Sequence, residues 1–509
     1  MDDSHFDTII IGTGAGGGTI AHKLAPTGRK ILIIERGGYL PREKENWEAS
    51  SVFVNGNYNC KENWIDQNGK PFEPGTHYYV GGNTKVYGAA LLRLRERDFD
   101  EIQHYGGISP AWPLKYSDFQ PHYLEAEKLY EVHGERGEDP TEPPDKTAYF
   151  YPPVSHEPFI QKMVDRLSEK GWKPFHLPLG VRLDEKHRET SLCIRCDTCD
   201  GFPCMVDAKS DAQHICIMPI LGQKNVSLLP HAKALRLLHD GSGKKITAVE
   251  VEHNGEIKQF KAREFIVSCG AINSAALLLK SKTDKYPTGL ANSSGLVGKN
   301  YMCHINSAVV ALSRAVNPVL FQKTIGLNDY YFGAKDSKLP LGHIQLLGKA
   351  KADMFRGDAP FFTPRFVLEM MEKHAIAWWI TSEDLPDPRN RVIVDGSGQI
   401  HLHQFPTNDE AHRRLLIKLK EVIRACNPHL NYFLAKRIPI AGVAHQVGTL
   451  RFGKDPHTSV LDLNCRTHDL ENLYVVDGSF FPSAGAVNPG LTIMANALRV
   501  GDHLNKLKK

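Results

Sequence analysis

Three groups of residues in this chain have the types and spacing to do chemistry. Near the start, Gly12, Gly14 and Gly17 form a GxGxxG pattern within IIIGTGAGGG, and Glu35 follows 18 residues after the last of them. Gly12 permits a tight turn, Gly14 lets a pyrophosphate approach the backbone, and Gly17 allows a helix to pack closely on a sheet with its N-terminus facing the phosphate charge. Glu35 is placed to accept hydrogen bonds from adenosine ribose hydroxyls, and an acid there disfavours a 2′-phosphate. Near the far end, NLYVVDGSFFP is an apolar strand closing on Asp477 and Gly478, followed by Asn488, Pro489 and a helical stretch. That polar strand end suits a ribityl chain or a pyrophosphate. A helix beginning there would turn its positive end toward its neighbour, and a reduced flavin with negative charge near N1 and O2 is a fitting recipient. The glycine turn alone serves NAD or FAD, which share the adenosine diphosphate half; the C-terminal segment points to the flavin.

The third group is CIRCDTCDGFPC, with Cys193, Cys196, Cys199 and Cys204. The spacing approaches a ferredoxin-type run but places one residue too many before the last cysteine. Four thiolates would also suit a structural zinc. Local disulfides or plain buried thiols form the third reading, and a bound metal is not favoured. His401 and His403 share one face of a predicted strand with no third ligand nearby, which leaves them structural or surface roles. Trp378 and Trp379, adjacent on a strand, must point to opposite faces.

The elements that must position these residues follow from periodicity. FDTIII, GTGAGGG, a helical stretch to Leu24 and KILIIE read as strand, glycine turn, helix and strand. A long segment rich in Pro, Gly, Tyr and charge then departs from that fold, with helices near Tyr116–Val132 and Glu157–Lys170. Short strands return between Val226 and Lys280, the last feeding a helix through Gly270, so the nucleotide domain is built from discontinuous pieces. SAVVALS, HAIAWWITS and RVIVDGSGQIHLHQF alternate with one charged helix, NDEAHRRLLIKLKEVIRAC, and predict an antiparallel sheet with flanking helices. The fold class is α/β. It comprises a Rossmann-like FAD-binding domain over 1–90, 191–302 (with the cysteine loop 193–204) and 444–509, insertion and substrate-domain elements over 91–190, and a substrate domain over 303–443.

Composition narrows the partners. With 509 residues, 41% hydrophobic, 24% charged and a net charge of +4, the chain has ordinary globular values and no electrostatic footprint for nucleic acid. MDDSHFD leads directly into a strand without a basic and apolar leader, and no window is apolar enough for a membrane span, so a cytoplasmic protein acting on a small molecule is expected.

The chain resembles the glucose-methanol-choline (GMC) oxidoreductases from Asp7 to Leu504, through IIIGTGAGGG, VGGNTKVYGAALLR, SCGAINSAALLL, AHQVGTLRFG and NLYVVDGSFFPSAGAVNPGLTIMANALR. The resemblance implies that Gly82, Asn83, Thr84 and Gly88 lie along the flavin and pyrophosphate. It also implies that Cys269 and Gly270 contact the ribose side, that Ala234 lies beside the adenine, and that Thr492 belongs to the flavin segment. Val86 stands where some relatives tether the flavin to a histidine, which implies non-covalent FAD. His445 matches the family's active-site histidine, with Gln446 in place of a frequent proline, and Asn488 matches the second active-site position. A His plus Asn pair is similar to the cholesterol oxidase and pyranose oxidase arrangement.

The implied chemistry is oxidation of a CH–OH group, with hydride passing to flavin N5 while a base takes the hydroxyl proton. Imidazole has a suitable pKa for that base, and positioning one contributes about 100- to 10,000-fold. Asn488, a neutral donor and acceptor, would hold the substrate oxygen. Sugars, glycosides or other polyols are the expected donors, with oxygen or another acceptor taking the electrons. A sterol or aliphatic alcohol oxidase, or a flavin-binding module without turnover, are the alternatives.

Overall fold

The computed structural model describes residues 5–357, 359–426, 430–442 and 445–507. The apolar runs near the start form strands β1 (His5–Ile11) and β2 (Ile31–Ile34), joined through helix α1 (Ala15–Leu24). They sit in a parallel sheet ordered Val226–Leu229, β2, β1, Glu256–Val267, with Leu473–Val475 beyond. Ile9, Ile10, Ile31 and Ile33 are wholly buried, as parallel strands covered on both faces must be. Strand Glu256–Val267 changes partner along its length. Residues 256–261 pair antiparallel with Ile246–His253, whereas residues 265–267 pair parallel with Leu473–Val475. The sheet is therefore assembled from distant stretches of chain. Its last helix, Gly490–Leu507, packs against both α1 and helix Tyr116–Leu129.

A second sheet is antiparallel throughout, ordered Leu430–Arg437, Ile305–Ser313, Ala375–Ser382, His343–Leu346, Ile325–Leu327, Pro174–His176. Helices Pro158–Glu169 and Asp409–Cys426 lie on it. The second buries Leu415, Leu419, Val422 and Ile423 at helical spacing and leaves its charged face in solvent. Trp378 is buried in this core, and Trp379, on the other face, is half-buried.

One expectation changes. RVIV and QIHLHQF do form strands, Arg391–Val394 and Ile400–His403, but they pair with each other and with Trp64–Asp66 rather than with the antiparallel sheet. Arg391–Val394 packs on helix Ala271–Lys280, beside the nucleotide-binding sheet. Alternation predicts a strand but not its partner, and here Ile400 and Leu402 find their burial next to Trp64. Among the described residues no helix is long and apolar enough to cross a membrane.

Helix Tyr116–Leu129 is held by a buried ion pair. Arg93 is fully buried and grips Glu127 through Nε and a terminal nitrogen, both at 2.6 Å, while it also donates to Tyr116 and Asp145 at 2.8 Å. Glu127 lies on the helix that supports Gly490–Leu507. Arg93→Met would leave two carboxylates short of their partner, and breaking a buried pair this way costs about 3–5 kcal/mol. Thermal unfolding should show a melting temperature lower by several degrees; an unchanged one would contradict the role given to this pair.

Candidate active site

A cleft opens at the C-terminal ends of β1, β2 and Glu256–Val267, where parallel α/β sheets bind ligands. Its walls include Gly12, Thr13, Gly14, Glu35, Gly82, Asn83, Thr84, Ala234, Cys269, Gly270, Asp477 and Gly478. No side chain caps α1 at Gly14, and a Cβ built there would meet nothing within 4 Å. Opposite, a Cβ on Gly82 would come within 3.1 Å of the Gly14 Cα, so the two glycine segments face each other. Glu35 is buried at the end of β2 and accepts from the Thr13 amide at 3.0 Å, the Thr13 hydroxyl, and the Gly37 amide at 3.1 Å. Burial pushes its carboxyl above the usual range against those donors.

Asp477 is likewise buried and raised. One oxygen takes the Gly270 amide at 3.0 Å and the Ser274 hydroxyl; the other takes the Ser479 amide at 2.9 Å and the Ser479 hydroxyl. It ties the end of strand Leu473–Val475 to the start of helix Ala271–Lys280, so it shapes the cleft as much as it lines it. Ile493, in the first turn of the last helix, closes the same wall.

The cleft's charged rim has no signature in the sequence. Arg36, Glu62, Lys233 and Lys280 line the wall that Glu35 and Ala234 share, and the Arg36 guanidinium lies 4.1 Å over the Tyr78 ring. No motif marks them; they come from four separate segments. Four expected cofactor residues stand off the cleft wall: Asn488, which meets His445, and Gly17, Gly88 and Thr492. Gly17 packs α1 against the turn, where a Cβ would lie 2.0 Å from the Gly12 carbonyl oxygen. Gly88 is covered by Asp200, and the Thr492 hydroxyl is engaged by the Tyr123 hydroxyl at 2.8 Å. An uncapped helix start, a glycine-lined approach and an acid beside the adenosine end together fit a dinucleotide of FAD's kind.

Beyond Gly478 and Gln446 the fold brings His445 and Asn488 together. The Asn488 amide nitrogen lies 3.3 Å from His445 Nε2, and both residues are half-buried. Desolvation, helped by His304 and His343, pushes the His445 imidazole down to about 3, below the near-neutral value expected of the base, so it is neutral at ordinary pH. Asn488 sits just past a segment, 483–487, that is buried throughout and strapped from several directions. Trp112 Nε1 donates to the Ser483 hydroxyl at 2.8 Å, and the Ala486 amide donates to the Tyr331 hydroxyl at 2.9 Å, which in turn donates to Asp98 at 2.9 Å. Glu383 accepts from the Gly485 backbone. His304, at the head of strand Ile305–Ser313, contacts both His445 and this segment. None of these supports was anticipated, and only their burial in the fold distinguishes them from the chain's other histidines, acids and tyrosines.

Cys193, Cys196, Cys199 and Cys204 are free thiols in an irregular loop. Burial pushes Cys193 up to about 12. Among the described residues no three histidine, cysteine or carboxylate side chains are arranged to hold a metal ion, and this includes His401, which instead meets Asp395 at 3.1 Å. The loop is anchored through Lys323, which pairs with Asp200 at 2.5 Å, donates to the Gly88 carbonyl and stands 3.7 Å from Cys199 Sγ.

Known proteins resemble the chain in sequence and in fold. A family model described as GMC oxidoreductase matches residues 177–306 with its N-terminal part and 424–497 with its C-terminal part. The chain is 30% identical to paromamine 6′-oxidase of Streptomyces fradiae, over 98% of this chain and 91% of that protein. It is 26% identical to 2-methyl-1,2-propanediol dehydrogenase of Mycolicibacterium austroafricanum, over 98% and 95%. Fructose dehydrogenase large subunit of Gluconobacter japonicus is 24% identical, over 99% and 98%. The fold is shared with pyridoxine 4-oxidase from Mesorbium loti, with a TM-score of 0.68 and 17% identity over 98% of this chain and 99% of that one.

Proposed function

The chain belongs to the GMC oxidoreductase family, and from that membership and the meeting of His445 with Asn488 we propose that it oxidises a CH–OH group of a sugar, glycoside or related polyol to a carbonyl, using non-covalent FAD. The observation that carries this reading is a neutral imidazole 3.3 Å from a neutral amide, next to a dinucleotide cleft. Gly12, Gly14, Glu35, Gly82, Asn83, Thr84, Ala234, Cys269, Gly270, Asp477 and Gly478 would hold the cofactor. Val86 offers no nucleophile for a covalent tether. FAD, when bound, supplies the acceptor for the hydride that leaves the alcohol carbon.

The protein's own residues do the rest. His445 Nε2 takes the hydroxyl proton, while the Asn488 amide holds the oxygen without competing for that proton. Burial of residues 483–487 fixes the approach of Asn488 to the reacting oxygen. The sugar preference is supported by the relatives named as paromamine 6′-oxidase and fructose dehydrogenase large subunit.

The pH profile tests the state of the base. An imidazole free in water gains its proton near pH 6.5 and would stop accepting one below that. His445 is held well below this value, so its base form persists as pH falls. Anaerobic flavin reduction should stay constant from pH 8 down through 6.5, with any acid limb displaced to lower pH; a limb centred at 6.5 would contradict the neutral histidine. The reaction class is tested by an anaerobic panel of sugars, glycosides, sterols and aliphatic alcohols, read as flavin bleaching and repeated in air with peroxide detection. Bleaching by sugars is the expected result. Bleaching by sterols or aliphatic alcohols alone would move the substrate class, and bleaching by none would leave a flavin-binding module.

A further inference from the structure

We propose that His304 is a positioning residue that selects which nitrogen of His445 acts as the base and holds that nitrogen against Asn488. The proposal rests on the reading of His445 as the base. The two rings meet edge to face, with centroids 5.1 Å apart, planes at 80° and the Nδ1 atoms 3.1 Å from each other. Two nitrogens at this distance need one hydrogen between them, and the far side of His304 decides whose it is. His304 Nε2 lies 3.4 Å from the Ala484 carbonyl oxygen, which can only accept. The His304 proton therefore sits on Nε2, its Nδ1 carries a lone pair, and the hydrogen between the rings belongs to His445 Nδ1. His445 Nε2 is left unprotonated, facing the Asn488 amide nitrogen, which donates to it.

An isolated histidine in water prefers the opposite form, with hydrogen on Nε2. The tautomer of a buried imidazole is set by the bond its other nitrogen makes, and here His304 supplies that bond. It also supplies more. Ala484 belongs to the strapped segment that leads to Asn488, so one imidazole joins the base to the segment that carries its partner. When His445 accepts the substrate proton at Nε2, its Nδ1–H remains directed at the lone pair of His304, and the new charge stays hydrogen-bonded to a buried neighbour. His304 is 2% exposed, and burial pushes it down to about 4, so it stays neutral and keeps that lone pair available.

The test compares His304→Leu with His304→Asn in the FAD-loaded enzyme. Leucine removes the acceptor, whereas the asparagine carboxamide oxygen can sit near the Nδ1 position and accept from His445. His304→Leu should retain flavin and slow its reduction by about 100-fold, the lower end of what a placed base contributes, with KM nearly unchanged. His304→Asn should recover most of that loss. Nitrogen-15 spectra of histidine-labelled wild-type enzyme, with the His445 signals assigned by His445→Ala, should show hydrogen on Nδ1 and a bare Nε2. This spectrum decides the matter on unmutated protein even where His304→Leu does not fold. A bare Nδ1 in wild type, or a His304→Leu enzyme that reduces flavin at the wild-type rate, would overturn the proposal. The underlying reading fails separately, through a His445→Ala enzyme that still reduces its flavin.

Discussion

His445→Ala should yield a folded, yellow protein whose flavin is no longer reduced by alcohol at a useful rate, with the reduction rate constant lower by about 100- to 10,000-fold. The separation of binding from chemistry follows from where the side chain lies. Among the described residues, His445 is not part of the dinucleotide cleft wall, and its polar contacts run to Asn488 and His304. Truncation removes a ring from a half-buried position and leaves the parallel sheet intact. Flavin content, the melting temperature and anaerobic stopped-flow reduction are the three measurements needed. Loss of reduction with flavin retained supports the base. Unchanged reduction kinetics would sink it, and loss of flavin would place His445 in the cofactor site instead. Asn488→Ala should fall between wild type and His445→Ala, because it removes the group that holds the oxygen but leaves the proton acceptor.

The second large effect separates two glycines three residues apart. Gly14→Leu should fold normally, since its Cβ would meet nothing within 4 Å, but it places a side chain where the cleft passes closest to the uncapped start of α1. The expected loss in FAD affinity is roughly 100-fold, about 2.7 kcal/mol. Gly17→Ala acts differently. Its Cβ would lie 2.0 Å from the Gly12 carbonyl oxygen, so the turn between β1 and α1 must give way, at a cost of about 1–3 kcal/mol in stability before any cofactor is considered. Titration of the flavin-free forms with FAD, alongside their unfolding curves, tells the two apart. A Gly14→Leu protein that binds FAD normally would remove the pyrophosphate from that end of the cleft.

The contrast between these glycines shows what was legible in the chain. Gly12, Gly14, Gly17 and Glu35 work through local backbone geometry, so their spacing alone predicts strand, turn, helix and acid, and the fold follows that order. The helices at Tyr116 and Asp409 were equally readable, because burial repeats at 3.6 residues within a single element. His445 and Asn488 lie 43 residues apart and were readable only through the resemblance to a family, since one histidine among 24 carries no signal of its own. His304 was invisible for the same reason: its partner His445 is 141 residues away, and no periodicity joins them. The pairing of Arg391–Val394 and Ile400–His403 with Trp64–Asp66 was missed because alternation defines a strand's faces and leaves its edges open. Gly88 shows a further limit of spacing. It sits in the right segment, yet Asp200 and Lys323 cover it from the cysteine loop.

The strand Glu256–Val267, which changes partner along its length, bears on how the molecule is made. Its first half closes a local hairpin as soon as residues 246–261 are available. Its second half must wait. On one side it receives β1, with Thr8 bonded to Glu264 across 256 residues of sequence; on the other it receives Leu473–Val475, whose following Asp477 reaches Gly270 across 207. Such long loops are slow to close. The cleft is thus among the last parts of the fold to be completed, because the wall formed by Asp477 and Gly478 reaches Gly270 and the glycine turn only after these distant closures.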